Sequence, residues 1–106
     1  MTTIEKHILD IFRALVTERI KVHRMLLFGS RARGDAAPAS DMDVLVVVAG
    51  PVSEPDRDYI SDCAWEAGFE QGIVVVPVAV SRHEWENGPE QYSLLARAVE
   101  RDGVPV

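Results

Sequence analysis

One cysteine, Cys63, stands alone in 106 residues, so no intrachain disulfide framework can form. Its place on the apolar side of an expected helix marks it as a small buried residue. Aromatics are sparse, and no apolar run approaches the roughly 20 residues that a membrane span requires. The first ten residues are mixed and charged, without the basic-then-apolar order of a signal peptide. These absences point to a reducing, cytoplasmic setting with no membrane contact. A surplus of positive charge is missing as well. The formal net charge is −6, which argues against a nucleic-acid binder. There is no internal repeat, linker or low-complexity tract.

What the chain does contain is ordinary globular material, 47% hydrophobic and 26% charged, in a length that suits one domain over residues 1–106. A core this small has modest stability and often gains from a partner, an oligomer included. Charge is uneven along the chain. Residues 1–34 hold seven Lys/Arg (Lys6, Arg13, Arg19, Lys21, Arg24, Arg31, Arg33) against three acids, whereas the remainder is strongly acidic. A solvated basic helix face accounts for most of those cations. Arg31 and Arg33 are different, because they flank a Gly-Ser turn.

Thr2 with Glu5 reads as a capping box, and Ile4, Ile8, Ile11, Phe12, Leu15 and Val16 follow at helical spacing, predicting a helix from about Ile4 to Ile20. Arg24–Phe28 is a short apolar strand stopped by Gly29. Ser30–Arg33 makes one helical turn, and a loop runs from Gly34 to Ser40. Met42–Ala49 is nearly all Val and Leu, a strand buried on both faces and ended by Gly50-Pro51. Ser53, Pro55 and Asp56 open a further helix, which carries Tyr59, Ile60, Cys63 and Ala67 inward and ends at Gly68 and Gly72. Ile73–Val80 is a third strand, with Pro77 pointing to an edge position or a local break in pairing. Ser81 with Glu84 repeats the capping-box pattern. A last helix is expected from Glu90 to Arg101, with Tyr92, Leu95, Ala98 and Val99 inward, and Val104–Val106 as a small edge strand. The order implies an α/β domain of two or three layers, a small sheet flanked by helices.

The chemistry concentrates between Gly29 and Asp43. Asp41 and Asp43 are two apart at the mouth of a strand, so both point to one face, roughly 6–7 Å apart along it. Carboxylates that close repel unless a cation lies between them, and hard oxygen ligands beside phosphates suit Mg²⁺. Gly29 lets backbone N–H groups approach a phosphate, the Ser30 hydroxyl adds a donor, and Arg31 and Arg33 can neutralise phosphate charge. His7, His23 and His83 show no metal-ligand spacing. Trp65 and Trp85 read as core or interface anchors.

Phe28-Gly29-Ser30-Arg31-Ala32-Arg33-Gly34-Asp35 followed by Ser40-Asp41-Met42-Asp43-Val44 resembles the Gly-Ser…Asp-x-Asp signature of the DNA-polymerase-β-like nucleotidyltransferase superfamily, and in particular its minimal nucleotidyltransferase (MNT) branch. Val80–Trp85 and Glu100–Val104 resemble the later parts of such domains. The resemblance implies a small mixed sheet flanked by helices. It implies transfer of a nucleoside monophosphate, with ATP the expected donor, to a hydroxyl. Asp41 and Asp43 would hold Mg²⁺, and Gly29 and Ser30 the triphosphate. It also implies a HEPN-type toxin as partner, since MNT proteins often act as antitoxins and some add AMP to a tyrosine of that toxin.

One feature of the pattern is absent. The third carboxylate belongs on the strand after the long helix, and Ile73–Val80 contains no acid. Glu70, Glu84 and Asp35 lie out of the usual register. Two expectations follow: an adenylyltransferase working with two carboxylates, or a catalytically weakened antitoxin that acts by direct contact. Transfer to a small molecule such as an aminoglycoside would need an additional acceptor-binding domain.

Overall fold

The computed structural model describes residues 1–88 and 93–106. The order is α1 (Thr3–Thr17), β1 (Val22–Phe28), α2 (Ser30–Arg33), β2 (Met42–Val48), α3 (Glu54–Phe69), β3 (Val75–Ser81), α4 (Arg82–Asn87), α5 (Ser93–Asp102) and β4 (Val104–Pro105). The sheet runs β3-β2-β1-β4, with β1 antiparallel to β2 and β4, and β3 parallel to β2. It is the mixed α/β sheet that the sequence leads one to expect. The expected start of the last helix, with Glu90 and Tyr92, lies outside the described residues.

All three capping boxes form: Thr2 with Glu5, Ser53 with Asp56, and Ser81 with Glu84. Each side chain satisfies amide groups that a helix start leaves without an intrahelical acceptor. Helix α1 ends at Thr17 instead of Ile20: the Arg19 amide tightens the last turn with an i→i−3 bond to the Val16 carbonyl, and Ile20 drops into the core. Ile4 is half exposed, and Leu9 takes the buried place instead. The Tyr59 hydroxyl donates to the Leu15 carbonyl, tying α3 to α1.

Strand β2 is central and buried on both faces. Its alternation sorts the core into two layers. Met42, Val44, Val46 and Val48 meet α1 and α3 on one face, with Met25 and Leu27 of β1. Leu45 and Val47 face the other way, with Leu26 and Val80, under Val99 and Leu95 of α5 and Trp85 of α4. The arrangement is therefore three-layered. Cys63 is buried and free.

Strand β3 is the sheet edge that Pro77 suggested, where a missing N–H is tolerated. It starts at Val75, two residues later than expected, because Ile73 is still occupied closing α3: its amide donates to the Gly68 carbonyl. A Cβ at Gly68 would lie 1.9 Å from the Ile73 oxygen, so only glycine permits that reversal. Among the described residues, no helix is long and apolar enough to cross a membrane.

Candidate nucleotide and metal site

Because β1 and β2 are antiparallel, the end of one meets the start of the other. Phe28 lies opposite Asp43, so Gly29 and Ser30 emerge beside the two aspartates. Asp43 shares its side of β2 with Leu45 and Val47, the face turned away from α1 and α3. Asp41 is exposed just before the strand, and Asp43 is half-buried. Burial, and then the charge of Asp41, push the Asp43 carboxyl above its ordinary range. A carboxylate raised by a neighbouring carboxylate is the electrostatic complement of a cation.

Gly29 has φ +77° and ψ −156°, a conformation essentially restricted to glycine. A Cβ there would sit 2.5 Å from Asp43 Oδ2. The close approach of the turn to the carboxylate thus depends on the missing side chain. Beyond it, α2 is a single turn closed by Gly34 at φ +81°. With two carboxylates, the Ser30 hydroxyl and the amides of the turn, the donor set suits a hard divalent ion beside phosphate oxygens.

The two arginines are placed differently from each other. Arg31 is buried and its guanidinium points inward: Nε donates to the Ser40 carbonyl at 2.8 Å, one terminal nitrogen to the Pro38 carbonyl at 2.9 Å, and the other to Glu5 at 3.1 Å. Arg31 therefore clamps the loop that delivers Asp41 against the start of α1. Burial raises the Glu5 carboxyl, but hydrogen bonds from the Thr2 amide and from Arg31 outweigh it and hold the group below its ordinary range. Arg33 remains partly exposed, and bonds Asp35 at 3.2 Å and Asp102 at 3.3 Å. The partners Glu5 and Asp102 were not legible from spacing: the first carried only a capping signal, and the second lies just past the expected end of the last helix.

None of the three candidate third acids joins the pair. Parallel pairing sets Val76 beside Asp43, and puts Ser81, which precedes Glu84, beside Val48 at the opposite end of β2. Glu70 caps the end of α3, in the helix layer on the other face, and Asp35 is engaged by Arg33. Among the described residues, no group of three or more His, Cys, Asp or Glu side chains could hold a metal.

Residues 6–102 match the family described as nucleotidyltransferase domain. A Methanocaldococcus jannaschii protein provisionally named a protein adenylyltransferase is 33% identical over 78 residues, 73% of each chain. A second protein of that organism with the same provisional name is 34% identical over 58 residues, 55% of this chain and 59% of its own. Among solved structures, a toxin–antitoxin with AMP-PNP contains a chain that matches with a TM-score of 0.66 at 21% identity, over 95% of this chain and 70% of that one. A complex of tri-AMPylated Shewanella oneidensis HEPN toxin with MNT antitoxin gives a TM-score of 0.60 at 17% identity, over 97% and 71%. At these identities the structural matches speak for the fold.

Proposed function

The chain belongs to the nucleotidyltransferase domain family, and from that premise we propose that it transfers AMP from Mg-ATP to a hydroxyl of a partner protein, a HEPN-type toxin that it neutralises as an antitoxin. The observation that carries the proposal is the close approach of the Gly29 turn to Asp43, where a Cβ on residue 29 would lie 2.5 Å from Asp43 Oδ2. Asp41 and Asp43 hold Mg²⁺ in this reading. An ion held there would supply positive charge against the triphosphate oxygens. The Ser30 hydroxyl and the amides of α2 receive the β- and γ-phosphates, and Arg33 balances charge on the departing pyrophosphate. Arg31 contributes by fixing the loop from Pro38 to Ser40, and with it the position of Asp41. The bond made joins the acceptor oxygen to the α-phosphorus, the bond broken links that phosphorus to the bridging oxygen of pyrophosphate, and the acceptor hydroxyl's proton is released to solvent.

The provisional name of the 33% identical relative supports protein as the acceptor class. The AMP-modified toxin of a similarly folded complex supports the partner class. The reading is tested by incubating the chain with its partner and ATP labelled on the α-phosphate. Label should appear on the partner only with Mg²⁺ and should vanish in Asp41→Ala/Asp43→Ala. Transfer that survives the double replacement would remove the site assignment.

A second reading has its own observation. With Val76 beside Asp43, nothing on β3 supplies the third carboxylate. A contact antitoxin with a weakened site would neutralise its partner without nucleotide. Loss of neutralisation in the Asp41/Asp43 variant, with the complex intact, would refute that reading.

A further inference from the structure

The helix-covered face of the sheet, opposite the face that carries Asp43, bears a surface that the nucleotide chemistry does not use. On α3, Trp65 is 67% exposed and Phe69 is 66% exposed, and their rings rest on each other with centroids 5.7 Å apart. Val74, at the start of the β3 edge, is 53% exposed. Cavities flank the aromatic pair on both sides. One of about 570 Å³ is lined by His7, Ile11, Asp62, Trp65, Glu66 and Phe69. The other, of about 510 Å³, is lined by Trp65, Phe69, Ile73, Val74, Val76 and Pro77. Large apolar side chains held in solvent beside open cavities characterise binding surfaces.

The charge around this patch has one sign. Asp58, Asp62, Glu66 and Glu70 follow one another at four-residue spacing, all exposed. Like charges at that spacing oppose helix formation. No described ion pair engages any of the four, and no Lys or Arg lies between Arg57 and Arg82 in the sequence. Arg57 itself is turned inward onto the Ala79 carbonyl. The stripe is a local opposition to folding that a cationic partner would relieve. A second copy of the chain, at net charge −6, brings mostly like charge. Addition of a strand to the open β3 edge is hindered by Pro77, which has no N–H to give to a ladder.

We infer that the α3 surface around Trp65 and Phe69 is a docking site for a basic amphipathic helix of another protein, with apolar side chains seated in the two cavities and Lys/Arg over the acidic stripe. Because α3 packs on the opposite sheet face from Asp43, the inference stands whether or not the chain transfers AMP.

The test is fluorescence anisotropy with labelled helical peptides, apolar at positions i, i+3, i+4 and i+7 and otherwise Lys/Arg, against a matched series in which Glu replaces the cations. The basic series should bind with micromolar Kd and weaken as salt rises to physiological strength. The acidic series should bind at least about tenfold more weakly. Trp65→Ser/Phe69→Ser, which removes two exposed side chains and keeps the core, should weaken the basic peptide by about tenfold or more. Asp41→Ala/Asp43→Ala should leave peptide binding unchanged, which separates failure here from failure of the transfer reading. Any of four results overturns the inference: no binding by the basic series, equal binding by the two series, binding that survives loss of both aromatics, or sedimentation showing that the chain dimerises through this face.

Discussion

Replacing Arg31 with methionine should destabilise the fold far more than it weakens nucleotide binding directly. The magnitude follows from what the guanidinium leaves behind. Glu5 is 4% exposed and would lose its cationic partner, keeping only its hydrogen bonds with Thr2. Breaking a buried pair from one side typically costs about 3–5 kcal/mol. The carbonyls of Pro38 and Ser40 lie in a solvent-accessible loop and can turn to water, so they add little. The expected loss is therefore about 3 kcal/mol, at the low end of that range. Urea unfolding at neutral pH would read it as a lower midpoint at unchanged slope. Glu5→Leu/Arg31→Met, which removes both charges, should recover most of the loss. The pH dependence has a definite sign. Glu5 titrates below its ordinary value in the folded protein, so its contribution is complete above the ordinary glutamate range and is lost as pH falls through the folded value. The gap between wild type and Arg31→Met should narrow in acid. An unchanged urea midpoint together with weakened ATP binding would refute the reasoning and make Arg31 a phosphate ligand.

Gly29→Ala should lose about 1–3 kcal/mol from backbone strain and also weaken Mg-nucleotide binding, because the new methyl displaces the Asp43 carboxylate; unfolding and calorimetric titration read the two effects separately. Magnesium affinity should rise with pH through the raised Asp43 titration, since proton and cation compete for one carboxylate, and Asp43→Asn should abolish that slope in a titration series. The same raised group subtracts stability from the cation-free protein at neutral pH, a deficit that disappears as pH falls below the ordinary aspartate range and is measurable by thermal unfolding. Val76→Asp, beside Asp43 on the edge strand, should destabilise the cation-free protein and tighten Mg²⁺ binding; unchanged metal affinity would show that the third position is not at Val76.

Local signals in the sequence carried a large share of the architecture. The capping boxes, the all-aliphatic β2, the edge proline and the small β4 depend on neighbours a few residues away, and each appears where that chemistry puts it. The meeting of Gly29 with Asp43 was legible because a turn and a strand start joined by a short loop have few ways to pair. The fate of Arg31 was not legible, since its carboxylate partner lies 26 residues away on another helix and already had a sufficient explanation as a cap. The same holds for Arg33 and Asp102, separated by 69 residues. Nor could spacing show that α1 stops at Thr17, or that Trp65 faces solvent while Trp85 packs on the core, because both outcomes are set by how the layers stack.

The measurement closest to the central claim is transfer of labelled AMP by the purified chain, with Mg²⁺ and its HEPN-type partner present. Mg²⁺-dependent label is expected on the partner, lost together with Mg-ATP binding in Asp41→Ala/Asp43→Ala. Undiminished Mg-ATP binding by that variant would contradict it, because the Gly29–Ser30 turn and the two aspartates would then not be one site.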